Sequence, residues 1–318
     1  MGKLVINEWV KLFQRAGTLV MFGIVILMVL GVGAFLKYDE IQNPPLENPN
    51  WKQELTTQLE GDRAALQETG QNNANLKMFY ERQIAIKEYQ IENDLAPETG
   101  YNVWSFIGEN MGAIGFIGVF TIIIAAGMVS SEFSWGTIKL LLIRPIHRSK
   151  ILLSKYITVV LFGVMMLTVL YVVSAAVGLA LFGTPKEALP HLAVVNGEVV
   201  ERSLFLNLIG EYLLTSIDVL MLATMAFMIS AVFRNSSLAI GLSLFLMFMG
   251  GTITMLLAAR YEWAKYILFA NTNLAVYFDG IPPVEGMTLT FSVTMLLLYF
   301  ALFQLLAFFV FAKRDVAA

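Results

Sequence analysis

The chain has 318 residues, 57% of them hydrophobic and only 14% charged, with a mean hydropathy of +0.69. Soluble domains carry about 25% charged residues, so an ordinary soluble domain is excluded. There is no cysteine, which excludes disulfides, thiolate catalysis and zinc–thiolate sites, and the formal net charge of -3 matters less than which side of a bilayer each charge lies on.

Residues 1–16 place Val5, Trp9, Leu12 and Phe13 on one helical face, with Lys3, Lys11 and Arg15 among the polar positions. That pattern predicts an amphipathic helix lying in the cytoplasmic membrane interface. Glu8 precedes the first apolar run and no small-x-small cleavage site follows it, so the leader is expected to remain attached. Apolar stretches then occupy 17–36, 105–129, 157–183, 211–233, 238–259 and 289–312. Each suits a helix crossing a bilayer core, which needs about 20 residues. The runs lack the alternation of a barrel strand. The expected fold is an all-α integral membrane protein with six transmembrane helices.

A polar insertion at 37–104 separates the first two spans. Asn43-Pro44-Pro45 and Asn48-Pro49-Asn50 make an irregular start. Helical stretches near 51–68 and 74–94, parted by Gly70-Gln71-Asn72-Asn73, then predict a hairpin projecting outside the cell. In it Leu55, Leu59 and Leu66 would face Met78, Tyr80, Ile84 and Tyr89. Its acidic residues outnumber its cations Lys52, Arg63, Lys77, Arg82 and Lys87. The excess could draw in cationic solutes, or simply keep an exposed helix soluble.

The next connection, 130–156, is the most informative segment. Lys139, Arg144, Arg148, Lys150 and Lys155, with His147, make it strongly basic. Placing it inside also places Lys3, Lys11, Arg15, Arg234, Lys313 and Arg314 inside, and leaves Lys186, Arg202, Arg260 and Lys265 in the two later outer loops. The positive-inside rule then puts both termini in the cytoplasm. Ile138, Leu141 and Leu142 follow helical spacing after Gly136-Thr137, and Pro145 disfavours helix at Arg144. A short loop helix at 135–143 is expected. Attraction to anionic lipid, about 1 kcal/mol per cation, accounts for the charge but not for the apolar stripe. A stripe of that kind suits a groove in a partner protein.

Other features are less telling. No phosphate-cradling G-x-x-x-x-G-K-[ST] motif occurs, and Gly112, Gly115 and Gly118 read as helix packing. His147 and His191 fall on opposite sides of the membrane, so no metal pair or relay is expected. Asn207, Glu211, Thr215 and Asp218 recur along one face of the fourth span. They read either as part of a translocation path or as a dimer interface. Tyr261, Trp263, Tyr266 and Tyr277 read as an outer aromatic belt.

The run Glu132-Phe133-Ser134-Trp135-Gly136-Thr137-Ile138-Lys139, with Arg144-Pro145, Arg148, Lys150 and Lys155-Tyr156, resembles the intracellular loop of ABC-2 type permeases, the membrane subunits of bacterial ABC exporters. Residues 263–274 resemble the short outer helices of the bacitracin- and lantibiotic-resistance members. The resemblance implies that two copies of a separate ATPase, holding ATP and magnesium, dock on this loop. Glu132, Trp135, Gly136, Thr137, Ile138, Lys139, Leu141, Leu142, Arg144, Pro145 and Arg148 would form the docking site. It further implies a second permease copy or paralogue, a surround of membrane lipid, and no nucleic acid. The chain itself would bind no cofactor or metal and catalyse nothing. It would sit in the bacterial plasma membrane and export an amphiphilic antibiotic, peptide or lipid-like substrate. Two other classes stay open: an ion-coupled transporter using Glu211 and Asp218, and a receptor or scaffold without transport.

Overall fold

The structure is a computed structural model describing residues 1–45, 48–69, 73–137, 146–185, 190–195, 197–233 and 235–313. Residues 138–143 of the expected loop helix, the link Gly70-Gln71-Asn72 and the cations Lys186, Arg234 and Arg314 lie outside the described residues.

The protein is mostly helical. Among the described residues, six helical segments are long and apolar enough to cross a membrane. The first is α2 (Ala16–Gln42), preceded by the short α1 (Gly2–Phe13). The second is compound: α5 (Val103–Glu109), a 3-10 turn (Asn110–Ala113) and α6 (Ile114–Ser134). The others are α7 (Arg148–Leu181), α8 (Leu204–Phe233), α9 (Ser236–Ala258) and α12 (Leu289–Lys313). Between α2 and α5 lie α3 (Trp51–Thr69) and α4 (Ala74–Glu92). Between α7 and α8 stand strands β1 (His191–Val195) and β2 (Glu198–Arg202). A 3-10 turn (Glu262–Tyr266), α10 (Leu268–Asn271) and α11 (Val276–Asp279) connect α9 to α12.

At the start and at the break of the second span, side chains partner backbone groups, which hydrocarbon would not. Asn102 caps α5 in a capping box with Ser105. The buried Asn110 donates its amide to the Phe106 carbonyl at 2.8 Å.

The centre of the bundle is the α6–α8 pair, which makes the most extensive helix contact. Every residue from Met221 to Phe227 is buried. Ala125, Ala126, Ala223 and Ala226 let the two backbones approach. Ser230 then bridges them, donating to the Ala126 carbonyl at 2.5 Å and accepting from the Ser130 amide at 3.0 Å. Close packing also fixes α5 against α7, where a Cβ on Gly178 would lie 3.0 Å from the Phe106 ring and 3.3 Å from the Val103 backbone. Of the three glycines expected to pack, Gly118 touches neighbouring side chains, whereas Gly112 and Gly115 face open space.

Several expected boundaries are corrected. The loop set at 130–156 is helical at both flanks, since α6 runs to Ser134 and α7 starts at Arg148. The fourth span starts at Leu204, not at 211, and the loop expected at 184–210 contains an antiparallel hairpin pairing His191 with Arg202 through Val195 with Glu198. At 1.5 Å per residue, the 34 residues of α7 extend about 50 Å, far beyond a hydrocarbon core of about 30 Å. Hydropathy marks only the part of such a helix that lies in lipid.

The α3–α4 arms are antiparallel, joined by Lys52–Asp94 at 2.7 Å, Arg63–Glu88 at 2.6 Å and an Asp62–Lys87 pair. Leu55 and Leu59 are buried, whereas Met78 is exposed. The arms, the β-hairpin and the 262–287 connection gather at one end of the bundle. At the opposite end, α1 meets the close of α6 and the start of α7, and Arg148 donates to the Ala312 carbonyl of α12 at 3.2 Å. The first helix and the close of α12 therefore share that end.

Candidate functional site

Four charged side chains converge at the end that carries α1 and the close of α12. Lys155 lies two turns into α7 and is 1% exposed. Its ammonium is 2.7 Å from Glu8 Oε2 of α1 and 3.0 Å from Glu132 Oε1 near the end of α6. Lys11 completes the group, 3.5 Å from Glu8 Oε1 and 3.8 Å from Glu132 Oε1. Two carboxylates and two ammonium groups make the cluster neutral. Burying an ammonium costs several kcal/mol, which only well-placed partners offset. Here the buried cation has two carboxylates, each shared with the more exposed Lys11.

The end of α6 shapes the cluster's open side. Gly136 takes φ +70°, the left-handed conformation that commonly ends a helix. Its amide donates to the Phe133 carbonyl at 3.1 Å, while the Trp135 amide donates to that of Ser131 at 2.9 Å. The reversal brings the Thr137 hydroxyl back to donate to Glu132 Oε2. Both Glu132 oxygens are thus engaged, one by Lys155 and one by Thr137. Trp135 itself is 66% exposed, with the Arg15 guanidinium 5.3 Å from its ring centroid. That cation–π contact adds a second tie between the α1–α2 junction and the end of α6.

Of the expected site residues, Glu132, Trp135, Gly136 and Thr137 come together, with Gly136 and Thr137 just beyond the end of α6. Arg148 lies on the first turn of α7 against α12. Ile138, Lys139, Leu141, Leu142, Arg144 and Pro145 fall outside the described residues. The sequence reading missed the roles of Glu8, Lys11 and Lys155. A signal existed: Lys155 interrupts the run Ile151-Leu152-Leu153-Ser154-Lys155-Tyr156-Ile157, and Glu8 lies on the apolar face of the leader. A charge on an apolar face requires a partner.

The polar stripe of α8 lies toward the other end. Asn207 donates to Glu211 Oε1 at 2.6 Å, and the Asp218 carboxyl has the Thr272 side chain as its neighbour. Thr215 is half-buried between them. Tyr261 and Trp263 stack with centroids 5.9 Å apart and, like Tyr266, stay exposed. Among the described residues no three His, Asp or Glu side chains converge as a metal set.

Fold and cluster define a multi-pass helical membrane protein whose terminal helix is fastened by ion pairs to two of its spans. The chain belongs to the family described as protein of unknown function (DUF2705), whose model matches residues 73–317. It is 48% identical over 319 residues to the uncharacterized protein YhcI of Bacillus subtilis (strain 168), covering 100% of both chains. It is also 35% identical over 198 residues to the uncharacterized membrane protein YdbK of that organism, covering 62% of this chain and 76% of the other. This match overturns the resemblance to ABC-2 type permeases as an assignment of family. The shared run combines a Gly-Thr helix end with basic residues, features that an interface imposes on many membrane helices.

Proposed function

We propose that the chain is the membrane subunit of an ATP-driven exporter, moved by a separate ATPase that grips the segment between α6 and α7. The observation that carries the reading is Lys155 joined to both Glu8 and Glu132. The cluster makes α1, the end of α6 and the start of α7 one unit at the flanks of the basic, apolar-striped segment 138–145. A push on either flank reaches the central α6–α8 pair through bonded contacts. Rigid-body rocking of such a unit is an established way to alternate access.

In this reading the termini and the basic segment lie in the cytoplasm of a bacterial cell, α1 lies in the inner interface, and the α3–α4 arms lie outside. A second copy or paralogue completes the path, with the α8 stripe of Asn207, Glu211, Thr215 and Asp218 facing it. ATP and magnesium belong to the partner, two copies per assembly, and the cargo is amphiphilic.

Purification from native membranes in mild detergent tests the proposal. An ATPase recovered at one copy per chain, and lost when Glu132→Arg turns the neutral cluster strongly positive, is the expected outcome. A chain that purifies without any nucleotide-hydrolysing partner, or drives ion-coupled flux alone, contradicts it.

A further inference from the structure

The α3–α4 hairpin touches the rest of the molecule at two unlike places. Its tip, at the start of α4, is pinned by polar contacts to the connection between α9 and α12. The Asn75 amide, 5% exposed, donates to the carbonyls of Pro282 at 3.3 Å and Val284 at 3.0 Å. The Ala74 amide, one of the unpaired donors at the start of α4, donates to Glu285 Oε1 at 3.1 Å. One face further along, Arg82 donates to the Phe278 carbonyl. A carboxylate at a helix N-terminus is favoured by both the free amides and the helix dipole. The receiving segment is itself anchored, since Val284 and Met287 are buried against Ala264 and Ala270.

The base is different. There α4 leans on the β-hairpin, where Tyr89 donates to Glu201 at 3.1 Å at the surface. Two adjoining hollows of about 290 and 430 Å³, sharing Glu98, Pro190 and Leu204, leave this end loosely filled. Residues 93–102 leave α4 without regular structure, with Asp94 at φ +58° and Gly100 at φ +92°. The two arms nevertheless hold to each other through three ion pairs and buried Leu55 and Leu59.

We infer that the α3–α4 hairpin is a hinged strap: it turns as one body at its base and is latched at its tip by Asn75 and Glu285 to residues 282–285. Closed, it ties together the connections that follow the first, third and fifth spans, and so restrains their relative motion at this end. Each tip contact is a hydrogen bond that water can replace, so it can open without the bundle unfolding. The inference stands whether or not an ATPase drives the protein.

Amide exchange read by mass spectrometry on the full chain in lipid nanodiscs tests it, with Asn75→Ala and Glu285→Gln as variants. The latch requires roughly tenfold faster exchange at 74–76 and 282–287 in Asn75→Ala, a smaller rise in Glu285→Gln, and unchanged exchange in the rest of α4, in α3 and in α8. No acceleration in either variant would show that these contacts do not hold the tip. Acceleration spreading through α3 or into α8 would show a structural brace and not a latch. Either result overturns the inference.

Discussion

Lys155 shows how one residue sets the architecture around it. An ammonium inside an apolar run can be accommodated only where acids from other elements reach it, so its position dictates where α1 and the end of α6 must lie. Removing one partner from a buried ion pair costs about 3–5 kcal/mol, because the remaining charge is left uncompensated. Lys155→Met is therefore predicted to destabilise the protein by about that amount, measured by thermal or denaturant unfolding in detergent. Adding Glu132→Gln to it should restore part of the loss, since the second change removes an orphaned carboxylate. Strictly additive losses would show that the two residues do not interact. None of this pairing was legible from residue order, because Glu8, Glu132 and Lys155 are far apart along the chain. What is legible is the anomaly of a charge on an apolar helix face, at Glu8 and at Lys155.

Elements were read well where burial alone decides them. The six apolar runs each mark a span because lipid admits little else, whereas ends and connections answer to capping and pairing. The β-hairpin escaped notice although Val194-Val195-Asn196-Gly197-Glu198-Val199 carries the Asn-Gly signal between β-branched runs, and Gly197 adopts φ +86°. That small sheet is also where α4 rests. Tyr89 of α4 donates to the Glu201 carboxylate of β2, and this bond, then partial burial and the carboxylate's charge, hold the phenol's pKa above its ordinary value of 10.0. A raised pKa means that the fold favours the protonated phenol. The stabilisation on the phenol's side is therefore present while the phenol keeps its proton and is lost as pH rises through the higher, folded value. A phenolate absorbance titration, taken as wild type minus Tyr89→Phe, should show a midpoint above that of free tyrosine. A midpoint at or below it would mean that the α4–β2 contact is not formed in solution.

At the scale of the whole molecule, the two ends are built by different chemistry. One end gathers α1, the neutral cluster and the close of α12; the other gathers the acidic arms, the β-hairpin and the 262–287 connection. The α6–α8 pair joins them, sealed by small residues and the Ser130–Ser230 bridge. Under the proposed function, an engine acting on one end would reach the other through this pair among the spans, with the cluster as the contact that takes up the force. Trp135, exposed and held over Arg15 beside the segment 138–145, is the most direct place to look. A photo-crosslinking residue at position 135, activated in native membranes and followed by mass spectrometry, should capture a nucleotide-hydrolysing subunit. Adducts only to lipid or to other copies of this chain would contradict the account.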